Sequence, residues 1–308
     1  MEYKIYKFHF KTAVHFGNGT LTDTSNRLMA DTVFSAICLE AVKKSAEDLQ
    51  QLVTWAKEGS LQISDAMPFI EDTLYLPKPT LRIQTEQSGD STVKKAFKKL
   101  KYIPLDMLQE YLQGDFDPTL ENTILKSLGK AEVRTLAASR NKEEAEPFFV
   151  GAYRFSEGNG LYLITGFSEK EIEKTFTEYL TAVSYTGIGG KRSAGLGKFV
   201  LEIKPFAPEN LIITGANQRA YMTLSLSMAK PEELTNLLEE STYTLIRRSG
   251  FISSDTYAPE QRRKKDFYAF QSGSCFSHPF QGDVFDVSGN GKHPVYRYAK
   301  PMFLEVKP

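Results

Sequence analysis

Aromatic and basic positions alternate at the start of the chain: Tyr6, Phe8 and Phe10 fall on one side of an extended segment, Lys7, His9 and Lys11 on the other. Period two predicts a strand with one face buried and one exposed. After a polar loop over residues 17–26, Phe34, Ile37, Cys38 and Ala41 recur at helical spacing behind Asp31, which is placed to act as an N-cap. A second helix is predicted from Ser45, with Asp48 three residues on. It carries Leu49, Leu52, Val53 and Ala56 on one side and stops at Gly59.

The middle is less regular. Residues 69–79 read as extended, 93–101 as a lysine-rich stretch, and Pro104 and Pro118 suit the first turns of two short helices. Residues from about 80 to 147 therefore read as an insertion. Pattern returns at 148–155 and 161–167, two strands joined across a hairpin-like turn at 156–160. Ser168 and Glu171 have capping-box spacing, ahead of the apolar stripe Ile172, Phe176, Leu180 and Val183. A glycine-rich segment follows, and Phe199, Leu201 and Ile203 then alternate in a closing strand. Strand, helix, strands, helix, strand is the ferredoxin-like order.

Pro205 and Pro208 mark a boundary. Beyond it Met222, Leu224, Leu226 and Met228 alternate with Thr223, Ser225 and Ser227 as a strand, Pro231 opens a helix, and extended segments recur near 267–276, 284–287 and 302–306. The expected fold class is α+β: two ferredoxin-like (RRM-like) units, residues 1–207 with the insertion and a degenerate unit over 208–308.

Composition narrows the function. The 308 residues hold 38 Lys+Arg and 38 Asp+Glu, so a basic coat for nucleic acid is excluded and any polyanion site is local. Two such local stripes are Lys94 to Lys101 and Arg262, Arg263, Lys264 and Lys265, the latter followed by Phe267, Tyr268 and Phe270 as stacking candidates. Either stripe can equally be a solvated face. Cys38 and Cys275 are too few for a disulfide framework, and no spacing suits a metal site. No apolar run reaches the ~20 residues of a membrane span, and Glu2, Lys4 and Lys7 interrupt any signal peptide. A cytoplasmic protein with no cofactor is expected.

The densest chemical signal is GIGGKRSAGLG over residues 187–197, where Gly187, Gly189, Gly190, Gly195 and Gly197 surround Lys191, Arg192 and Ser193. Glycine lets backbone amides approach a phosphate while the basic groups neutralise it. No nucleotide-binding fingerprint fits in register, and the loop leaves a helix to enter a strand, the reverse of those motifs. Phosphate-backbone binding and a tight structural turn both remain open. Of the four histidines, His15 lies in the loop before the first helix, where a general base could sit, but no acid–base partner is evident. His9 lies on the basic strand face, and His278 and His293 neighbour prolines in turns.

The segment GIGGKRSAGLGKF resembles the glycine-rich signature of the repeat-associated mysterious protein (RAMP) superfamily of CRISPR systems, and ADTVFSA at 30–36 is similar to its first-helix motif. RRSGFISS at 247–254 and KKDFYAFQSGSCF at 264–276 resemble the type III-A subgroup, in particular the fourth-subunit family of the Csm effector complex. The resemblance covers both units and leaves out the insertion. It implies a non-catalytic subunit that caps the 5′ repeat-derived handle of the CRISPR RNA (crRNA) and docks the large polymerase-like subunit and the backbone RAMP subunit. Expected RNA-binding residues are then the glycine loop, His15, Arg248, Arg262, Arg263 and Lys264, with Arg134 and Arg140 on a thumb-like hairpin. The alternative is a metal-independent endoribonuclease that processes repeat RNA.

Overall fold

The computed structural model describes residues 1–81, 83, 91–138, 146–207, 220–254 and 256–306, Asn18 and Ala138 by backbone alone. The fold is mixed α/β with antiparallel sheets. The main sheet runs in the order Phe199–Phe206, Glu2–Phe10, Gly160–Phe167, Met67–Ile70, Thr73–Pro77, Tyr102–Pro104, and Leu61–Ile63 also pairs with Gly160–Phe167. The first strand is central, with Tyr6 opposite Leu163 on one side and Ile203 on the other.

Helices Ala30–Lys44, Ala46–Glu58 and Lys170–Thr186 cover one face through Phe34, Ile37, Leu52, Phe176 and Leu180, which pack on Tyr6, Phe8 and Leu163. The opposite face is buried too. Ile5, Tyr162 and Ile164 meet Leu108 and Tyr111 of the insertion and Met222, Leu224 and Leu304 of the second half. The strand expected to be half exposed is therefore sandwiched, and even Lys7 is buried, its ammonium 4.6 Å from the centre of the Phe69 ring. All eight residues of Gly160–Phe167 are buried, as befits a strand with a layer on either side.

Several local expectations are corrected. The second helix is capped as read: the Ser45 hydroxyl accepts from the Asp48 amide at 3.0 Å, and Gly59 closes the helix in the left-handed region. Asp31 is not an N-cap, because the first helix already begins at Ala30, whose amide donates to Asp65 Oδ1 at 2.8 Å. Ser168 forms no capping box; the helix begins at Lys170, behind Glu169. The turn at 156–160 joins two different sheets rather than a hairpin. Strand Glu146–Phe155 pairs instead with Gly129–Ala138 over their whole length.

The second half contains the strands Ala220–Thr223, Cys275–Phe276 and Phe303–Val306 in one sheet, two further two-stranded ribbons and the helix Pro231–Leu237. Its alternating segment leaves the ladder at Thr223. The Thr223 hydroxyl donates to the Ser225 carbonyl and the Ser225 hydroxyl to the Lys300 carbonyl, so both polar side chains are buried and satisfied. Such local hydroxyl bonds compete with strand pairing.

Asp65 ties the halves together. Its Oδ1 accepts from Ala30 and, at 2.9 Å, from the Leu226 amide. Burial pushes its pKa up to about 6, outweighing those two bonds. A raised carboxyl pKa means that stability is fullest below the unfolded value and declines as pH rises toward 6. Asn retains the accepting oxygen without the charge. Asp65→Asn is expected to gain ~2–3 kcal/mol over the wild type between pH 4 and pH 6.5, read as the difference between urea unfolding free energies at the two pH values.

Candidate nucleic-acid interface

The glycine loop is built on left-handed backbone. Gly187 ends the helix at φ 86°, and Gly189, Lys191, Gly195 and Gly197 lie at 95°, 57°, 81° and 81°. A Cβ on Gly197 would stand 2.1 Å from the Ile188 carbonyl oxygen, one on Gly189 2.7 Å from that of His15, and one on Gly190 2.6 Å from the His15 ring. Gly195 alone of the five meets nothing within 4 Å. Most of these glycines therefore serve close approach of the chain to itself. Ile188 donates to Gly197, Gly190 to His15 and Gly197 to Ala13. Among the described residues the amides of Lys191, Arg192 and Ser193 have no acceptor in the chain. The loop is a tight turn that still presents donors outward.

His15 is the hinge point of this region. It is 8% exposed, and its Nδ1–H donates to the Gly151 carbonyl at 2.6 Å, which leaves Nε2 as the available ring nitrogen when the ring is neutral. Residues 17–26, read as a loop, form a ribbon of Phe16–Asn18 and Thr20–Ser25. The long hairpin Gly129–Ala138/Glu146–Phe155 reaches the glycine loop, with the Lys191 ammonium 4.9 Å from the Phe148 ring centre. Arg134 belongs to that hairpin, but its Nε is 2.8 Å from Glu132. Arg140 lies outside the described residues.

A cleft of about 980 Å³ opens beside His15 and runs between the insertion and the second half. Arg27, Lys99, Lys101, Lys126, Arg247 and Arg263 line it with Arg248, and among the described residues no Asp or Glu does. Tyr102 and Phe251 add ring surfaces to its wall. One end of the lysine stretch and one residue of the Arg262 cluster thus meet across one cleft, although about 160 residues apart in sequence. Arg262 is directed elsewhere, 3.6 Å from Glu260. His9 is 2.9 Å from Glu202, His278 bonds Ser277, and His293 bonds Ser254. Among the described residues no three His, Cys, Asp or Glu side chains cluster to hold a metal ion.

Behind the cleft sits the strongest electrostatic feature. Asp31 takes a two-pronged bond from Arg248, Nε to Oδ2 at 3.0 Å and Nη2 to Oδ1 at 2.9 Å, and a third from Arg297 Nη1. Burial alone would raise the Asp31 pKa; the two guanidinium groups outweigh it and hold the carboxyl near 2. Burial lowers the pKa of Lys264, helped by repulsion from Arg297, and burial lowers that of Arg297, helped by repulsion from Arg248. Arg248, expected to face RNA, therefore has its charge engaged within the protein. Arg27, Lys126 and Arg297 were not apparent from sequence. Isolated basic residues carry no periodic signal, and only folding brings Arg27 and Lys126 to the cleft and Arg297 to Asp31.

Residues 216–306 match the CRISPR Csm4 C-terminal domain family. A Csm4 protein of Mycobacterium tuberculosis is 36% identical over 306 residues, 99% of this chain and 98% of the relative. One of Streptococcus thermophilus is 31% identical over all of both chains. The fold is shared with a chain of the Csm3–Csm4 subcomplex of a type III-A interference complex (TM-score 0.66, 19% identity, 100% of both chains). It is shared also with one of a Csm1–Csm4 cassette in complex with cA4 (TM-score 0.62, 18% identity, 100% of this chain and 98% of that one). Fold and sequence together define a RAMP-like protein of type III CRISPR systems. The chain belongs to the Csm4 family, the fourth-subunit family of the Csm complex.

Proposed function

We propose that the chain is a non-catalytic crRNA-binding subunit of a type III-A interference complex, gripping the 5′ repeat-derived handle along the basic cleft. The observation that carries this reading is a cleft of about 980 Å³ lined by arginine and lysine and, among the described residues, by no carboxylate, in a chain of zero net charge. A backbone-tracking groove with a few rings is what single-stranded RNA requires. The amides of 191–193, unpaired among the described residues, and the side chains of Lys191 and Arg192 add further donors and positive charge at the glycine loop. His15 orders the loop and hairpin through its bonds with Gly190 and Gly151, and among the described residues it forms no bond to a carboxylate. The strand order around Glu2–Phe10, with its flanking helices, supports a ferredoxin-like reading of residues 1–207; 208–308 form the second, degenerate unit. Relatives seen with Csm1 and with Csm3 support two protein partners, the large subunit and the backbone RAMP subunit. No described helix is long and apolar enough to cross a membrane, in keeping with a cytoplasmic complex.

Labelled repeat RNA incubated with the protein in EDTA tests the reading. Retention without cleavage supports it, and cleavage that disappears in His15→Ala overturns it in favour of a processing nuclease. Lys101, Lys126 and Arg263 are exposed and line the cleft. Their combined change to alanine is expected to flatten the slope of log affinity against log salt by about 2, at ~0.7 per lost phosphate contact, without altering the melting temperature.

A further inference from the structure

Beneath the glycine loop lies a smaller pocket of about 220 Å³ that shares Arg248, Ser249 and Phe251 with the wall of the basic cleft. Three cations, Arg248, Lys264 and Arg297, face one carboxylate, Asp31, and Arg192 reaches the pocket from the glycine loop. Arg248 and Arg297 share Asp31, and among the described residues Lys264 has no ion pair, so the cluster carries excess positive charge. Arg297 is 4% exposed, yet its Nε and Nη2 have no hydrogen-bond partner among the described residues. Buried donors of a charged group are normally satisfied, so two orphaned N–H groups beside a positively charged pocket mark a missing acceptor. A guanidinium fork suits a pair of phosphate oxygens. The volume is below the ~300–1,000 Å³ of pockets that enclose whole drug-sized ligands.

We propose that this pocket is a phosphate site, holding one phosphate group between Arg192, Lys264 and Arg297, supplied either as a phosphodiester of bound RNA or as a free anion. The RNA source rests on the function proposed above; the free anion does not. Neither Asp31 nor Arg248 supplies the recognition: each is engaged with the other, and together they hold Arg297 in place.

The test uses the full chain, its Lys264→Gln variant, which breaks no observed ion pair, and Arg297→Met, checked for folding by circular dichroism. With 20 mM inorganic phosphate against chloride at equal ionic strength, the wild type is expected to melt roughly 3 °C higher, and both variants to lose that gain. With single-stranded RNA, the salt slope is expected to fall by about 0.7 in Lys264→Gln if the phosphate belongs to RNA. Phosphate stabilisation with an unchanged RNA slope assigns the site to a free anion. Failure of the wild type to bind RNA removes the proposed function and leaves the pocket to be judged by phosphate alone. The phosphate site is overturned if phosphate stabilises neither protein and the RNA slope is unchanged, or if it stabilises wild type and variants equally.

Discussion

Asp31→Ala is expected to lower the unfolding free energy by about 3–5 kcal/mol, because it strands the buried Arg297 guanidinium and the half-buried Arg248 guanidinium without their anion. Asp31 is 4% exposed and accepts from both Arg248 and Arg297. The pair joins the first helix to two separate ribbons of the second half, Leu245–Arg248 and Tyr296–Ala299. Removing all three charges is a different experiment. The combination Asp31→Leu, Arg248→Met and Arg297→Met should recover most of the loss, since an apolar replacement leaves no uncompensated charge. The depressed Asp31 pKa fixes the direction with acid. Its contribution is complete above the unfolded value near 3.8 and disappears as pH falls through about 2, the opposite of Asp65. Urea titrations of the single and triple variants measure both effects. A single variant no less stable than a change at an exposed aspartate would show the cluster to be energetically idle.

Gly197→Ala should be nearly as damaging, at ~3–5 kcal/mol. The left-handed φ of 81° adds ~1–2 kcal/mol of strain for any Cβ. The 2.1 Å approach to the Ile188 oxygen forces the backbone apart, which endangers the bonds from Ile188 to Gly197 and from Gly197 to Ala13. Gly195 serves as the control, with the same φ of 81° and open space around it. Gly195→Ala is expected to cost only the strain. Thermal melts of the two variants separate close packing from conformational freedom. Equal losses would mean that the loop yields to the clash.

The first half was legible because its signals are periodic. Alternation at Tyr6, Phe8 and Phe10 and the stripe Ile172, Phe176, Leu180 correspond to the buried faces of a strand and a helix. What periodicity cannot carry is the partner of a strand. The turn at 156–160 looked like a hairpin because two strands flank it, yet Glu146–Phe155 finds ten partners in Gly129–Ala138 instead. The second half is made of short ribbons whose polar side chains bond locally, as at Thr223 and Ser225, so its alternation overstated its strand. The glycine loop was visible as a composition, and so was its position between helix and strand. Its dependence on His15 was not, because a contact between residues 15 and 190 leaves no trace in either local pattern. Asp31 was singled out as a cap; its actual partners are long-range and follow from the tertiary fold.

The central position of the first strand has a consequence for synthesis. Glu2–Phe10 is synthesised well ahead of both of its neighbours, Gly160–Phe167 and Phe199–Phe206. At ~5–20 residues per second, roughly 10–40 s pass before the second neighbour exists. Until Gly160–Phe167 emerges the aromatic strand has both of its edges open, and one edge stays open until Phe199–Phe206 follows. The nascent chain is thus a client for holding chaperones before it can be a partner for anything else, and its yield should track chaperone supply more closely than the stability of the finished protein.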